Sequence, residues 1–140
     1  MPGAPKGKQR PKICRVNGLS IAYTPRQTVE YEKLIKARYN AVSDAKFDKN
    51  EPLEINVIAL FQIPKSASKK SKKMMINGQL LPIKKPDIDN IAKVVLDALN
   101  DICYHDDAQI CQICCKKMYA ENPEIQVTIK NYEEQTHENI

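Results

Sequence analysis

A chain of 140 residues has room for one domain with one modest core, and its apolar content is ordinary for a folded protein. No apolar run approaches the length that spans a bilayer, and residues 1–15 carry lysines and prolines where a secretory signal needs an apolar stretch. The chain therefore reads as soluble and cytoplasmic, with no membrane contact. The net charge of +5 matters less than its placement. Residues 1–29 hold Lys6, Lys8, Arg10, Lys12, Arg15 and Arg26 without an acid. Residues 64–86 hold Lys65, Lys69, Lys70, Lys72, Lys73, Lys84 and Lys85, again without one. Two acid-free basic blocks suit a surface that contacts phosphates, although a solvated lysine loop has the same composition.

Taken in chain order, residues 12–23 can form a hairpin. Thr24-Pro25-Arg26-Gln27 then predicts a helix start, with Thr24 as cap, Pro25 in the first position and Gln27 at the capping-box position. Tyr31, Leu34, Ile35, Arg38 and Val42 recur behind it at helical spacing, which carries the helix to Ser43. Leu53, Ile55, Val57, Ala59, Phe61 and Ile63 alternate, predicting a strand with one core face. The stretch 64–86 is too polar for a core element and reads as a long basic loop. A second helix, predicted from Asp89 to Ile102, places Ile91, Val94, Val95, Ala98, Leu99 and Ile102 on one face. Residues 110–118 and 125–129 read as two further strands, joined near Asn122-Pro123. The expected fold is α+β: two main helices packed on a small mixed sheet. A single domain covers residues 1–132, and a polar tail covers 133–140.

Five cysteines, an odd number crowded toward Cys111, Cys114 and Cys115, fit reduced thiols better than a disulfide framework. Cys111 and Cys114 have the spacing of half a zinc site. No second pair matches them, and His105 and His137 stand alone.

The chemistry points instead to carboxylates. Asp87-Ile88-Asp89 opens the second helix directly behind Lys84-Lys85-Pro86. Helix capping, with Asp89 as cap and Asp87 complementing the dipole, needs only one of these acids. Lys93, Asp97 and Asn100 continue from Asp89 along the polar helix face. Asp106-Asp107 then places two adjacent carboxylates just before a strand. Oxygen-rich clusters of this kind bind Mg²⁺, and a bound cation reverses the repulsion between carboxylates and a DNA phosphate. Lys93 is placed to neutralise charge on the phosphate oxygens.

The run from Lys84 to Asn100, followed by Asp106-Asp107-Ala108-Gln109-Ile110, resembles the signature of RusA-type Holliday-junction resolvases. The likeness extends to Gly7-Lys8-Gln9-Arg10-Pro11, Tyr23-Thr24-Pro25 and Ile63-Pro64-Lys65-Ser66, and so covers the chain to about residue 130. It implies a homodimeric, Mg²⁺-dependent endonuclease, with Mn²⁺ able to substitute and no organic cofactor. Such enzymes cut four-way junctions symmetrically in recombination and repair, and many are carried by prophages. By position, Asp87, Asp89 and Asp107 match the family's essential acids, Lys93 its important lysine and Asp106 its companion aspartate. All four aspartates are expected metal ligands. Lys8, Arg10, Lys69, Lys70, Lys72, Lys73, Lys84 and Lys85 are the expected DNA contacts. Two departures stand out: Gln9 occupies a position where a second glycine is expected, and the short apolar strand that usually precedes the Pro-Gly pair has no counterpart.

A helix from Asp89 to Ile102 is about 20 Å long at about 1.5 Å per residue, which sets Asp107 beyond the end opposite Asp87. One ion with ligand distances near about 2.1 Å cannot touch both ends. The expectation is a composite site, in which antiparallel helices of two subunits bring Asp107 of one to Asp87 and Asp89 of the other. The alternative is a DNA-binding module without catalysis, whose aspartates only cap and whose lysines contact phosphate.

Overall fold

The computed structural model describes residues 1–133; all but the first residue of the expected polar tail lies outside them. Asn17 and Gly18, with φ of 52° and 77°, turn β1 (Lys12–Val16) into β2 (Leu19–Tyr23). Positive φ at both central positions is what a tight two-residue hairpin requires, so the expected hairpin forms. α1 (Arg26–Val42) follows with Pro25 at its cap position and no side-chain cap. Its buried face consists of Thr28, Tyr31 and Ile35, while Leu34 and Val42 stay exposed. The apolar stripe is thus narrower than the spacing predicted and lies toward Thr28.

β3 (Leu53–Gln62) buries every second residue from Leu53 to Phe61, as the alternation requires. It is the central strand of a three-stranded mixed sheet ordered β4-β3-β5. β4 (Ile110–Ala120) runs parallel to it and β5 (Glu124–Asn131) antiparallel. The short connection through Asn122-Pro123 therefore crosses the end of β3, and the two last strands flank β3 without pairing to each other. Pro2 bridges Glu124, and the Ile125 N–H donates to the Met1 carbonyl at 2.9 Å. The first residues thus add a stub of pairing at the start of β5, where an edge strand looked absent.

The basic stretch is not all loop. Ser68 accepts a hydrogen bond from the Ser71 N–H at 3.1 Å and starts α2 (Lys69–Ile76), which buries no residue. α3 (Ile88–Leu99) buries Ile91, Val94, Val95, Ala98 and Leu99. It starts one residue earlier and ends three residues sooner than its sequence pattern suggests. Asp101 takes a positive φ of 63° just past its end. The core is the layer between α1, α3 and the β3–β5 part of the sheet, closed by Cys103, Tyr104 and Ile125. Over the described residues this is an α+β fold with three α-helices, one of them short. All five cysteines are free thiols, and no described helix is long and apolar enough to cross a membrane.

Candidate active site

Asp87 occupies the cap position of α3 with an extended backbone (φ −69°, ψ 150°), and Asp89 lies in the first turn. The helix is held there through the backbone, with the Ile91 N–H donating to the Asp87 carbonyl at 3.1 Å. Neither carboxylate acts as a side-chain cap, so the expected division into a capping Asp89 and an outlying Asp87 does not hold. Both side chains are exposed. Helix formation leaves both sets of carboxylate oxygens available.

A second segment is laid across this helix start. The Lys8 N–H donates to the Asn90 carbonyl at 2.8 Å, and the Gln9 N–H donates to Thr28 Oγ1 at 3.2 Å. Gly7 makes the approach possible, since a Cβ there would lie 2.9 Å from Asn90 Cβ and 3.0 Å from Pro86 Cβ. The result is a cleft of about 860 Å³ whose lining includes Lys6, Arg10, Lys12, Lys85 and Asp87. Asp87 therefore opens into a basic groove. Lys6 and Lys12 were visible beforehand only as members of an acid-free block; nothing in their local sequence marks them as groove residues.

Lys8 also lines this cleft but presents little free charge to it. Its ammonium pairs with Glu32 and lies 3.2 Å from Asp97 Oδ2, and its side chain is only 18% exposed. Burial acts to lower its pKa, but hydrogen bonds and charges from Glu32 and Asp97 outweigh it and raise the value. The expected phosphate contact is thus an internal tie between α1 and α3. Lys93 lies 3.5 Å from the same Asp97 oxygen and remains 62% exposed. It pairs with Asp97 alone among the described residues, not with Asp89 as well.

The second pair of acids divides its labour. Asp106 Oδ1 accepts from the Ala108 N–H at 3.0 Å, and with Gln109 it forms a reciprocal capping box around the short 3₁₀ turn Asp107–Gln109. Asp106, expected as a metal ligand from its place in the family signature, also serves the turn through Oδ1. The Ala108 N–H, then a hydrogen bond with Asp107, lowers the Asp106 pKa. Asp107 is raised by that shared hydrogen bond, by slight burial and by the charges of Asp106 and Asp97; Lys93 acts in the opposite direction. The charges of Asp97 and Lys93 on α3 thus act on Asp107. Among the described residues no three His, Cys, Asp or Glu side chains gather where they could hold a metal ion. Asp87, Asp89 and Asp107 of one chain thus form no common cage.

Of the other expected DNA contacts, Arg10 and Lys85 line the Asp87 cleft. Lys84 sits over the rings of Phe61 and Tyr119, 6.0 Å from each centroid. Lys69, Lys70, Lys72 and Lys73 lie on α2, outside the lining of that cleft.

The family described as Endodeoxyribonuclease RusA matches residues 2–130. A Bacillus subtilis (strain 168) protein, described as Uncharacterized protein YqaN, is 41% identical over 81 residues, which cover 56% of this chain and 57% of that relative. The chain thus spans little more than half the length of that relative. With a match that takes in the α3 acids, the basic groove and the Asp106-Asp107 turn, the chain belongs to the RusA family of endodeoxyribonucleases.

Proposed function

We propose that residues 1–132 form one protomer of a homodimeric, Mg²⁺-dependent endonuclease that resolves four-way DNA junctions by paired symmetric cuts in recombination and repair. The observation that carries this reading is the placement of two acids. Asp87 and Asp89 are free of capping bonds at the start of α3, and Asp87 faces a groove lined by Lys6, Arg10, Lys12 and Lys85.

The donor set suits a hard cation: exposed carboxylate oxygens beside a groove able to take phosphate, the oxygen-only environment Mg²⁺ prefers. Asp87 and Asp89 would hold it, together with Asp107 of the partner subunit, because the three acids do not converge within one chain. An Mg²⁺ held there would supply polarisation of the scissile phosphate and a lowered pKa for an attacking water. The groove lysines and Arg10 orient the phosphodiester. Lys93, held by Asp97, offsets the charge that grows on the phosphate oxygens in the transition state. Asp97 is held in turn by Lys8 and so positions Lys93. A two-fold dimer places two such sites for two equivalent cuts.

The test is incubation with a synthetic four-way junction or its matched duplex, in Mg²⁺ or in EDTA. Paired nicks confined to the junction and dependent on Mg²⁺ are expected. Salt-sensitive binding without cleavage would instead identify a DNA-binding module. Mixing Asp87→Asn with Asp107→Asn protomers tests the composite site, since one of the two sites then carries both defects and the other none. Nicking of one strand should return. Absence of recovery after confirmed subunit exchange counts against it.

A further inference from the structure

A second basic cleft adjoins the one that holds Asp87. Its volume is about 520 Å³, and its lining includes Phe61, Lys65, Lys84 and Lys85. Pro5, Lys85 and Pro86 belong to both clefts, so the second shares a wall with the cleft that Asp87 lines.

Lys84, in the cleft lining, and its neighbour Lys117 are held by apolar and backbone groups rather than by acids. Lys84 Nζ lies 6.0 Å from the centroids of both Phe61 and Tyr119. Lys117 reaches the same Phe61 ring from β4, at 5.1 Å, and its ammonium donates to the Lys84 carbonyl. Ring faces attract ammonium groups at these distances without neutralising them. Among the described residues none of Lys65, Lys84, Lys85 and Lys117 forms an ion pair with a carboxylate. Lys65, Lys84 and Lys85 line this concavity, and Lys117 adjoins it through the Phe61 ring and the Lys84 carbonyl. Ammonium groups gathered around one concavity repel one another, and an anion seated there relieves the repulsion. A lysine loop that served only solubility would point its charges apart into water.

We infer that this cleft is a phosphate subsite for the same DNA strand, with Lys84 and Lys117 holding the phosphate next to the scissile one and Lys65 flanking it. The strand crosses the Lys85-Pro86 wall between the two clefts. The assignment rests on the nuclease reading above and adds to it a fixed register for the backbone. Lys117 is a positioning residue that no local motif marks.

The experiment measures junction binding in EDTA as a function of salt for the full chain, a Lys84→Gln/Lys117→Gln variant and a Lys117→Arg variant. Removing both lysines from the one phosphate they hold should flatten the log–log salt slope by about 1 per occupied site, and Lys117→Arg should keep most of the wild-type slope. A junction with one uncharged methylphosphonate beside the cut bond should bind the wild type several-fold more weakly, yet bind the double variant no more weakly than normal junction does. Circular dichroism checks folding, and Lys84→Gln alone serves if loss of Lys117 disturbs β4. An unchanged slope, or an equal methylphosphonate effect on wild type and variant, overturns the subsite. Should the slope and methylphosphonate results hold while Mg²⁺ produces no nicks, the subsite stands and the nuclease reading fails.

Discussion

The Tyr104 hydroxyl donates a 2.6 Å hydrogen bond to the Leu96 carbonyl. Leu96 is in the last turn of α3, where backbone carbonyls lack helical partners, so a side chain eight residues further on completes the helix end. The chain after α3 is thereby tied to the helix end, and the charges of Asp97 and Lys93 act on the Asp107 carboxylate that follows.

Tyr104→Phe keeps the buried ring and removes only that bond. Stability should fall by about 1 kcal/mol, read as a lower urea midpoint with an unchanged slope. Nicking should fall further than stability explains, because the support of the Asp107 turn has loosened. Unchanged cleavage at full folding would separate that turn from the site.

Asp87→Asn, Asp89→Asn and Asp107→Asn should each reduce Mg²⁺-dependent cleavage by about 100-fold or more. Junction binding in EDTA should persist or tighten, since each change removes a negative charge beside a basic groove. A purely capping role predicts the opposite pattern: intact cleavage and lost helix stability. Asp106→Asn keeps an oxygen able to cap the Ala108 N–H and should be the mildest of the four.

Much of this arrangement follows from local pattern. Alternation from Leu53 to Phe61 and the helical spacing from Ile91 to Leu99 mark core faces because burial repeats with the geometry of each element. α2 escaped notice because it has no buried face to generate a period; only Ser68 at its start hints at it. The anchoring of the chain ahead of Asp107 depends on Tyr104 meeting Leu96, and the tie of Lys8 on Glu32 and Asp97 joins residues far apart in sequence. Strand order is equally non-local: nothing in residues 121–123 says that they cross β3 instead of forming a hairpin. The Asp-Asp-x-Gln run was legible as a motif, while its division into one capping and one free acid was not.

Lys8 predicts a pH dependence. Its folded pKa is raised above the ordinary 10.5. Its contribution to stability is therefore fully present below the unfolded value and is lost as pH climbs through the folded one. Lys8→Met, which leaves Glu32 and Asp97 without their shared cation, should cost about 2 kcal/mol at pH 8. The gap between wild type and variant should stay level up to the unfolded value and narrow above it. Denaturant titrations from pH 8 to the alkaline limit of folding read this directly. A gap that widens with pH would mean the ammonium is not the stabilising form.

Thiol chemistry checks the packing independently. Cys103 is buried, and that burial raises its pKa against the opposing effect of a hydrogen bond with Tyr39. Cys115 is half-buried and raised for the same reason, then by Cys114. Cys14, Cys111 and Cys114 are exposed. Alkylation at pH 8 followed by mass spectrometry should therefore label those three first, Cys115 later and Cys103 only on unfolding. Early labelling of Cys103 would contradict the core at the end of α3.

Gln109 offers the sharpest separation between structure and chemistry. Its side-chain oxygen accepts from the His105 N–H at 2.8 Å and the Asp106 N–H at 3.2 Å. Its amide nitrogen donates to the Asp48 and Glu51 carbonyls at 2.8 and 3.1 Å. One amide thus joins the Asp106-Asp107 turn to the loop that leads into β3. Gln109→Leu removes all four bonds and should cost about 2 to 3 kcal/mol. Gln109→Glu keeps the acceptors for the turn but sets a charged oxygen against two carbonyls, so it should be at least as destabilising. If Asp107 acts only through its placement, cleavage by Gln109→Leu should fall at a temperature where circular dichroism still shows a folded chain. Junction binding in EDTA, which depends on the basic clefts, should be unchanged under those conditions. Parallel loss of binding and cleavage would mean that the turn supports the whole DNA surface and not one carboxylate.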